Sequence, residues 1–351
     1  MATSPIAGNV QTVLGPVAPE TLGPTITHEH LLIDFRVVFQ QPSAASQAGM
    51  AEEKLSLKNL GWIRHNWNSS LDNLMLLDEE VAISEARHYF NSGGGTMVDV
   101  TSNGLGRDPQ ALARISRATG LNVVMGGGHY IGATHPAEFE TATAEDIAES
   151  IIRDIQDGVG DTGIRTGIIG EVGVSAPWGQ TERKTVQAAV IAQVETGAPV
   201  LIHPGRDEEL PGQILEAVAE WGGDLAHTVM GHIERTIYSR DALKRVAETG
   251  AFLNFDLFGH DSSFYPLAPG SYMPNDAQRL DQIEFLIAGG HVGQILLAHD
   301  VCSKHRLKEY GGHGWDHIIA RVVPQMLARG ISREDVDTML VDNPRRMLTF
   351  A

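Results

Sequence analysis

Short runs of apolar, largely β-branched residues recur along this chain, and each ends in a polar residue able to do chemistry. They occupy residues 24–28, 96–101, 122–126, 166–171, 199–203, 228–232, 251–256 and 294–300. Between most of them the apolar positions repeat at helical spacing, over 109–119, 144–158, 182–196, 213–220, 239–249 and 274–288. Buried runs alternating with amphipathic stretches predict βα units on a parallel sheet. Eight such runs predict an α/β protein built as a closed (β/α)8 TIM barrel rather than an open doubly wound sheet. Two connections are too long for a simple crossover. Residues 31–95 read as an extended loop followed by a helix over about 77–92, and 258–274 read as a loop rich in aromatics, Gly and Pro. The barrel therefore carries long loops after strands 1 and 7, and such loops in compact domains are usually lids or binding loops. Neither an internal repeat nor a Pro/Ser-rich linker interrupts the pattern. Residues 1–351 read as one domain, within the size such barrels reach with insertions.

Composition narrows the partners. With 42% hydrophobic and 20% charged residues, the chain can build a large core. Its 26 Lys+Arg against 44 Asp+Glu leave a net charge of −18, which argues against a nucleic-acid backbone or an anionic lipid surface as partner. A pocket can still reverse the global sign for a small-molecule substrate. A lone cysteine, Cys302, excludes an intrachain disulfide. Residues 1–15 contain no Lys or Arg and no continuous apolar core, and no run of 18 apolar residues occurs. The expectation is a cytoplasmic protein without a signal peptide or spanning helix.

The polar residues that close the runs are metal-capable. His28 and His30 lie two apart, so on a strand both can face one side. Fifteen histidines give roughly 0.6 such pairs by chance, so the pair gains weight only from the other strand ends. Glu171 closes an apolar run where a carboxylate is costly to bury without a cation, the bland reading being a pair with a neighbouring Arg. His203, His232 and Asp300 close three more runs. Together they suggest a binuclear site, with His28, His30 and Asp300 on one ion, His203 and His232 on the other, and Glu171 bridging. Two divalent ions, zinc by preference with Mn, Co or Fe as alternatives, can hold a hydroxide between them. Asp300 would then be ligand and proton acceptor at once. Tyr130, Arg206, Arg235 and Lys304 flank these positions and are candidate substrate contacts, the cations suiting an anionic tail. Their bland alternative is packing for Tyr130, and pairing with Glu208, Glu209 or Glu234 for the arginines. Cys302 reads as a small packing residue. The glycine runs 93–95 and 126–128 lack phosphate-loop spacing.

These residues resemble the amidohydrolase superfamily, and within it the phosphotriesterase family over nearly the whole chain. The similarity is closest to the phosphotriesterase-related, N-acetyltaurine hydrolase-like branch. It is carried by residues 27–30, 104–108, 167–173, 182–184, 202–206 and 256–259, and by the block from His299 and Asp300 through 310–314 to Asn343 and Pro344. Two departures matter. The founding triesterases bridge their metals with a carboxylated lysine where this chain has Glu171. Where triesterases and lactonases carry His or Arg after strand seven, and often Asp after strand six, this chain has Leu257 and Arg235. The resemblance thus implies a hydrolase of carbonyl substrates (an N-acyl amide, ester or lactone) more than an organophosphate triesterase, and a homodimer as the common assembly. A third reading is a small-molecule binding protein that keeps the barrel without turnover.

Overall fold

The computed structural model describes residues 6–262 and 265–351. Parts of two sequence readings lie outside the described residues: 1–5 of the stretch 1–15 read as no signal peptide, and 263–264 of the second long loop. Eight parallel strands lie side by side in sequence order: β1 (Thr25–Glu29), β2 (Thr96–Asp99), β3 (Asn122–Gly127), β4 (Ile168–Gly173), β5 (Val200–His203), β6 (Thr228–Met230), β7 (Phe252–Phe255) and β8 (Ile295–Leu297). β8 returns beside β1, where Thr27 Oγ1 donates to Leu297 O (3.3 Å) and Asp300 N donates to His28 O (3.1 Å). This is the predicted (β/α)8 barrel.

The helices follow their sequence signals closely. They are α1 (Glu79–Asn91), α2 (Pro109–Thr119), α3 (Ala144–Gln156), α4 (Gln180–Thr196), α5 (Leu210–Glu220), α6 (Arg240–Ala247) and α7 (Asp276–Ala288). Asp78, Asp108 and Thr143 start α1, α2 and α3 by accepting backbone N–H groups that have no partner within the helix. α7 begins two residues later than its pattern predicts because Asn275 and Gln278 cap it reciprocally.

Strand alternation builds two apolar layers. Val98, Val124, Ile168, Leu201, Val229 and Leu296 fill the barrel floor, joined by Val10, Met347 and Leu348 from near the two ends of the chain. Met97, Val123, Ile169, Val200 and Met230 belong to the larger outer cluster with helix residues such as Ile115, Ile151 and Ile214. The polar groups are left to the C-terminal ends of the strands, the face that carries activity in this architecture.

Four runs predicted to extend to residues 101, 232, 256 and 300 leave the sheet early, at Asp99, Met230, Phe255 and Leu297. Their last residues turn out of the ladder. His232 (φ 52°) and Asp300 (φ 49°) are the non-glycine residues with left-handed backbone among the described residues. Such strain persists only where the surroundings impose it. The 31–95 connection holds more structure than the loop and helix expected. It contains an antiparallel pair, Ile33–Asp34 with Met75–Leu76, and a short helix, Leu60–His65.

Candidate metal centre and substrate cavity

Two local irregularities aim the first ligands. β1 pairs with β2 as Ile26 with Met97 and then Glu29 with Asp99, so β1 spends one extra residue across the His28 stretch. β4 does the same, pairing Ile169 with Val200 and then Val172 with Ile202, with Glu171 in between. Bulges of this kind re-aim side chains next to functional sites. The one on β4 needs close backbone approach: a Cβ at Gly126 would overlap the Gly170 carbonyl oxygen.

All six predicted ligands converge. Glu171 Oε1 lies 3.4 Å from His30 Nε2, and Oε2 lies 3.5 Å from His28 Nε2 and 3.6 Å from His232 Nε2. Asp300 Oδ1 is 3.2 Å from His30 Nε2 and 3.8 Å from His28 Nε2. Ligand atoms about 2.0–2.2 Å from a tetrahedral ion stand about 3.3–3.6 Å apart, and most of these separations match. The His203 side is tighter, with Nδ1 at 2.8 Å from both Glu171 Oε2 and His232 Nε2. His28, His30 and Glu171 form one potential ion-holding trio, Glu171, His203 and His232 another, and His28, His232 and Asp300 a third. His28 Nε2 is buried with no hydrogen-bond partner among the described residues, which leaves its lone pair for a cation.

The surroundings set the tautomers. Asp256 Oδ1 lies 2.7 Å from His232 Nδ1, which therefore carries the ring proton and exposes Nε2, and Oδ2 faces His28 Nδ1 at 3.0 Å. Thr101 Oγ1 donates to Leu32 O and therefore accepts from His30 Nδ1 at 2.9 Å. Neutral imidazoles with one nitrogen oriented by a neighbour are what metal ligation requires. Burial alone would lower His30, but Asp300 and Glu171 carry it up to about 9. Burial pushes the Glu171 carboxyl up, and His203, His232 and His28 override it and hold the group well below the carboxylate range. The same field that attracts protons here attracts cations. Asp256→Asn should cut metal affinity about 10- to 100-fold, the usual cost of losing such an orienting partner. Titration against a chromophoric chelator measures it, and unchanged affinity would count against the role.

Sequence reasoning passed over four residues of this site: Asp256, Thr101, Glu29 and Arg306. Asp256 closes the seventh apolar run, the same signal that points to the candidate ligands. Glu29 lies inside the His-x-His pair. Its carboxylate accepts from His299 N (2.8 Å), His299 Nδ1 (2.7 Å) and Val301 N (3.2 Å), gripping both neighbours of Asp300.

A cavity of about 510 Å³ opens above the ligands, lined by Tyr130, Arg206, Arg235 and Arg306 with an apolar wall that includes Phe35, Trp67 and Leu267. The pairing proposed against the arginines does not occur. Glu208 accepts from Tyr238 N and Ser239 N, Glu209 pairs with Arg245, and Glu234 pairs with Arg279. Arg206 donates instead to the Tyr265 hydroxyl, and Arg235 to Pro204 O (3.1 Å) and Thr236 Oγ1 (3.2 Å), with its Nη2 3.2 Å from His203 Nε2. Lys304 is a correction. Its Nζ is 2.7 Å from Asp72 Oδ1, and it is not part of the cavity wall. Burial raises the Tyr130 hydroxyl well above the usual range, so it faces the cavity as a donor. Cys302 is buried and also touches the cavity.

The phosphotriesterase family model matches residues 8–348. The chain belongs to the phosphotriesterase family. It is 42% identical over 348 residues to the N-acetyltaurine hydrolase of Homo sapiens, covering 99% of each chain. It is also 42% identical to the phosphotriesterase-related protein of Nematostella vectensis, covering 98% of this chain and 99% of that one. Among solved structures it is similar to a resiniferatoxin-binding protein from Rhodobacter sphaeroides, with TM-score 0.95, 35% identity, and 99% of this chain and 97% of that chain covered. A lactonase from Listeria monocytogenes aligns with TM-score 0.79 at 25% identity, over 98% of this chain and 99% of that one. Among the described residues, no helix is long and apolar enough to cross a membrane.

Proposed function

We propose that this family member is a binuclear metal-dependent hydrolase, one domain over 1–351, that cleaves an N-acyl amide with an anionic amine portion. The observation that carries the reading is the convergence of His28, His30, Glu171, His203, His232 and Asp300, drawn from the ends of five strands into three overlapping trios. The substrate class draws on the N-acetyltaurine hydrolases at about 42% identity and on three guanidiniums facing one cavity in a chain of net charge −18.

His28, His30 and Asp300 would hold one ion, His203 and His232 the other, with Glu171 between them. When bound, zinc or a similar divalent ion supplies Lewis acidity and lowers the pKa of water towards neutrality. The chain supplies the rest. Asp300 has a side chain 15% exposed, so one face meets the histidines and the other meets the cavity. From there Oδ can take the proton of the attacking water and return it to the leaving nitrogen. Glu29 holds the backbone on both sides of Asp300, which keeps that carboxylate aimed. Arg235 braces His203 from behind while its charge faces the cavity.

Two rivals lead to different outcomes. The lactonase fold neighbour and the triesterase ancestry favour ester, lactone or phosphotriester hydrolysis, and the resiniferatoxin-binding neighbour favours a binding protein. Metal-loaded protein is compared by kcat/KM on N-acyl amino sulfonates and carboxylates, lactones, and paraoxon-type triesters. The amides are expected to lead, with turnover abolished by chelation and restored by Zn, Mn or Co. A leading triester rate would overturn the substrate class, and no turnover on any class with both ions bound would favour the binding protein.

A further inference from the structure

Arg306 stands where two cavities meet. The catalytic cavity and a second one of about 540 Å³ share Trp67, His260, Tyr265, Met273 and Arg306 as walls. The arginines facing the first cavity are differently committed. Arg235 spends its N–H groups on Pro204 O and Thr236 Oγ1 and against His203, and Arg206 spends two nitrogens on the Tyr265 hydroxyl. Arg306 gives only Nε, to Ser303 Oγ at 3.2 Å. Its two Nη groups have neither a hydrogen-bond partner nor a carboxylate within ion-pair distance among the described residues. A half-buried guanidinium on the wall of both cavities, with two N–H groups uncommitted and no counter-ion in ion-pair reach, favours an incoming anion.

The second cavity adds further unspent polar atoms. His260 is 4% exposed, and its Nε2 has no hydrogen-bond partner. His313 donates from Nδ1 to Gly314 O at 3.1 Å, which leaves a buried Nε2 lone pair, also without a partner. Arg64 reaches the same space, and Asp261 is the one carboxylate of its lining among the described residues.

We propose that Arg306, with His260 beside it, forms a subsite for a compact oxyanion at the join of the two cavities. The planar fork offers its two free Nη groups to two oxygens of one carboxylate, sulfonate or phosphate, a geometry lysine cannot copy. Resting on the hydrolase reading above, this places the anionic end of the substrate at Arg306 and the scissile bond at the metal ligands. A free inorganic oxyanion has the same chemistry, and the test separates the two sources.

The metal-loaded enzyme is assayed with N-acetyltaurine and with the neutral N-acetylethanolamine, and sulfate binding is measured by calorimetry. Arg306→Gln should raise KM for the sulfonate about 10- to 100-fold, with kcat within about threefold and the neutral amide within about twofold. Arg306→Lys should fall between, with metal content unchanged in both. Sulfate should bind the wild type, compete with the sulfonate and fail to bind the Gln variant, which identifies the substrate's own end as occupant. Arg306-dependent sulfate binding without competition keeps the subsite and makes a free anion its ligand. Equal losses on both amides, or sulfate binding that survives in the variants, overturn the proposal. If the wild type cleaves no amide, the hydrolase reading fails while the sulfate arm still decides Arg306. If the Gln variant does not fold, the Lys variant and wild-type sulfate competition decide it.

Discussion

Glu171→Ala should lower the metal content of the binuclear centre proposed above towards one ion or none and remove most turnover. Glu171 belongs to both of the trios that share it: Oε1 faces His30 at 3.4 Å, while Oε2 faces His203 at 2.8 Å, His28 at 3.5 Å and His232 at 3.6 Å. On the binuclear reading proposed above, deleting it removes the shared ligand and a negative charge that faces four buried imidazoles. Removing one partner of a buried charged cluster is costly because what remains is uncompensated. Elemental analysis of the purified variant reads the ions, and a saturated assay with added metal reads the residual rate. Glu171→Lys adds a sharper arm, since lysine can bridge only when carboxylated, so any recovery should depend on added bicarbonate. Two ions and a normal rate in the Ala variant would end the bridging assignment.

Asp300→Asn should lose about 10²- to 10⁴-fold in kcat, the range for a positioned acid–base group, with much less change in KM. The substitution is a clean probe because asparagine tolerates left-handed backbone, and Asp300 has φ 49°. The clamp from Glu29 to His299 and Val301 uses backbone and ring atoms that the substitution does not touch. The amide keeps an oxygen to meet His30 but cannot accept a proton. Paired measurements of metal content and kcat separate loss of a ligand from loss of the proton acceptor. A variant with both ions and near-normal kcat would exclude the proton role.

Much of this was legible in the amino-acid order. α2 matches its predicted span residue for residue, and α1 and α3 differ by at most two residues at either end. Their apolar repeats and capping residues are local, and a helix is decided by neighbours within a few positions. The metal-capable groups are visible because a polar residue that closes a buried strand stands out against its own run. Asp256 carried the same signal but was passed over, since its role appears only once β6 and β7 bring His232 to it across 24 residues of sequence.

The cations show where such reasoning stops. Lys304, four residues past Asp300, pairs with Asp72, 232 residues away in sequence. Arg206 and Arg235 escape the three glutamates nearest to them, each of which is taken by another group. Which partner a flexible charged side chain finds depends on distances in space that no local pattern encodes. By itself, then, the sequence determined the alternation of strands and helices, the apolar barrel floor, and the identity and chain order of the metal-capable groups. Those follow from periodicity and from the cost of burying an unpaired polar atom. Only the tertiary structure decided the bulges at His28 and Glu171, the neighbours set against Nδ1 of His28, His30 and His232, and the lack of a carboxylate within ion-pair distance of Arg306 among the described residues. Each of these is a sum of long-range contacts, fixed when the eight strands take their register around the barrel.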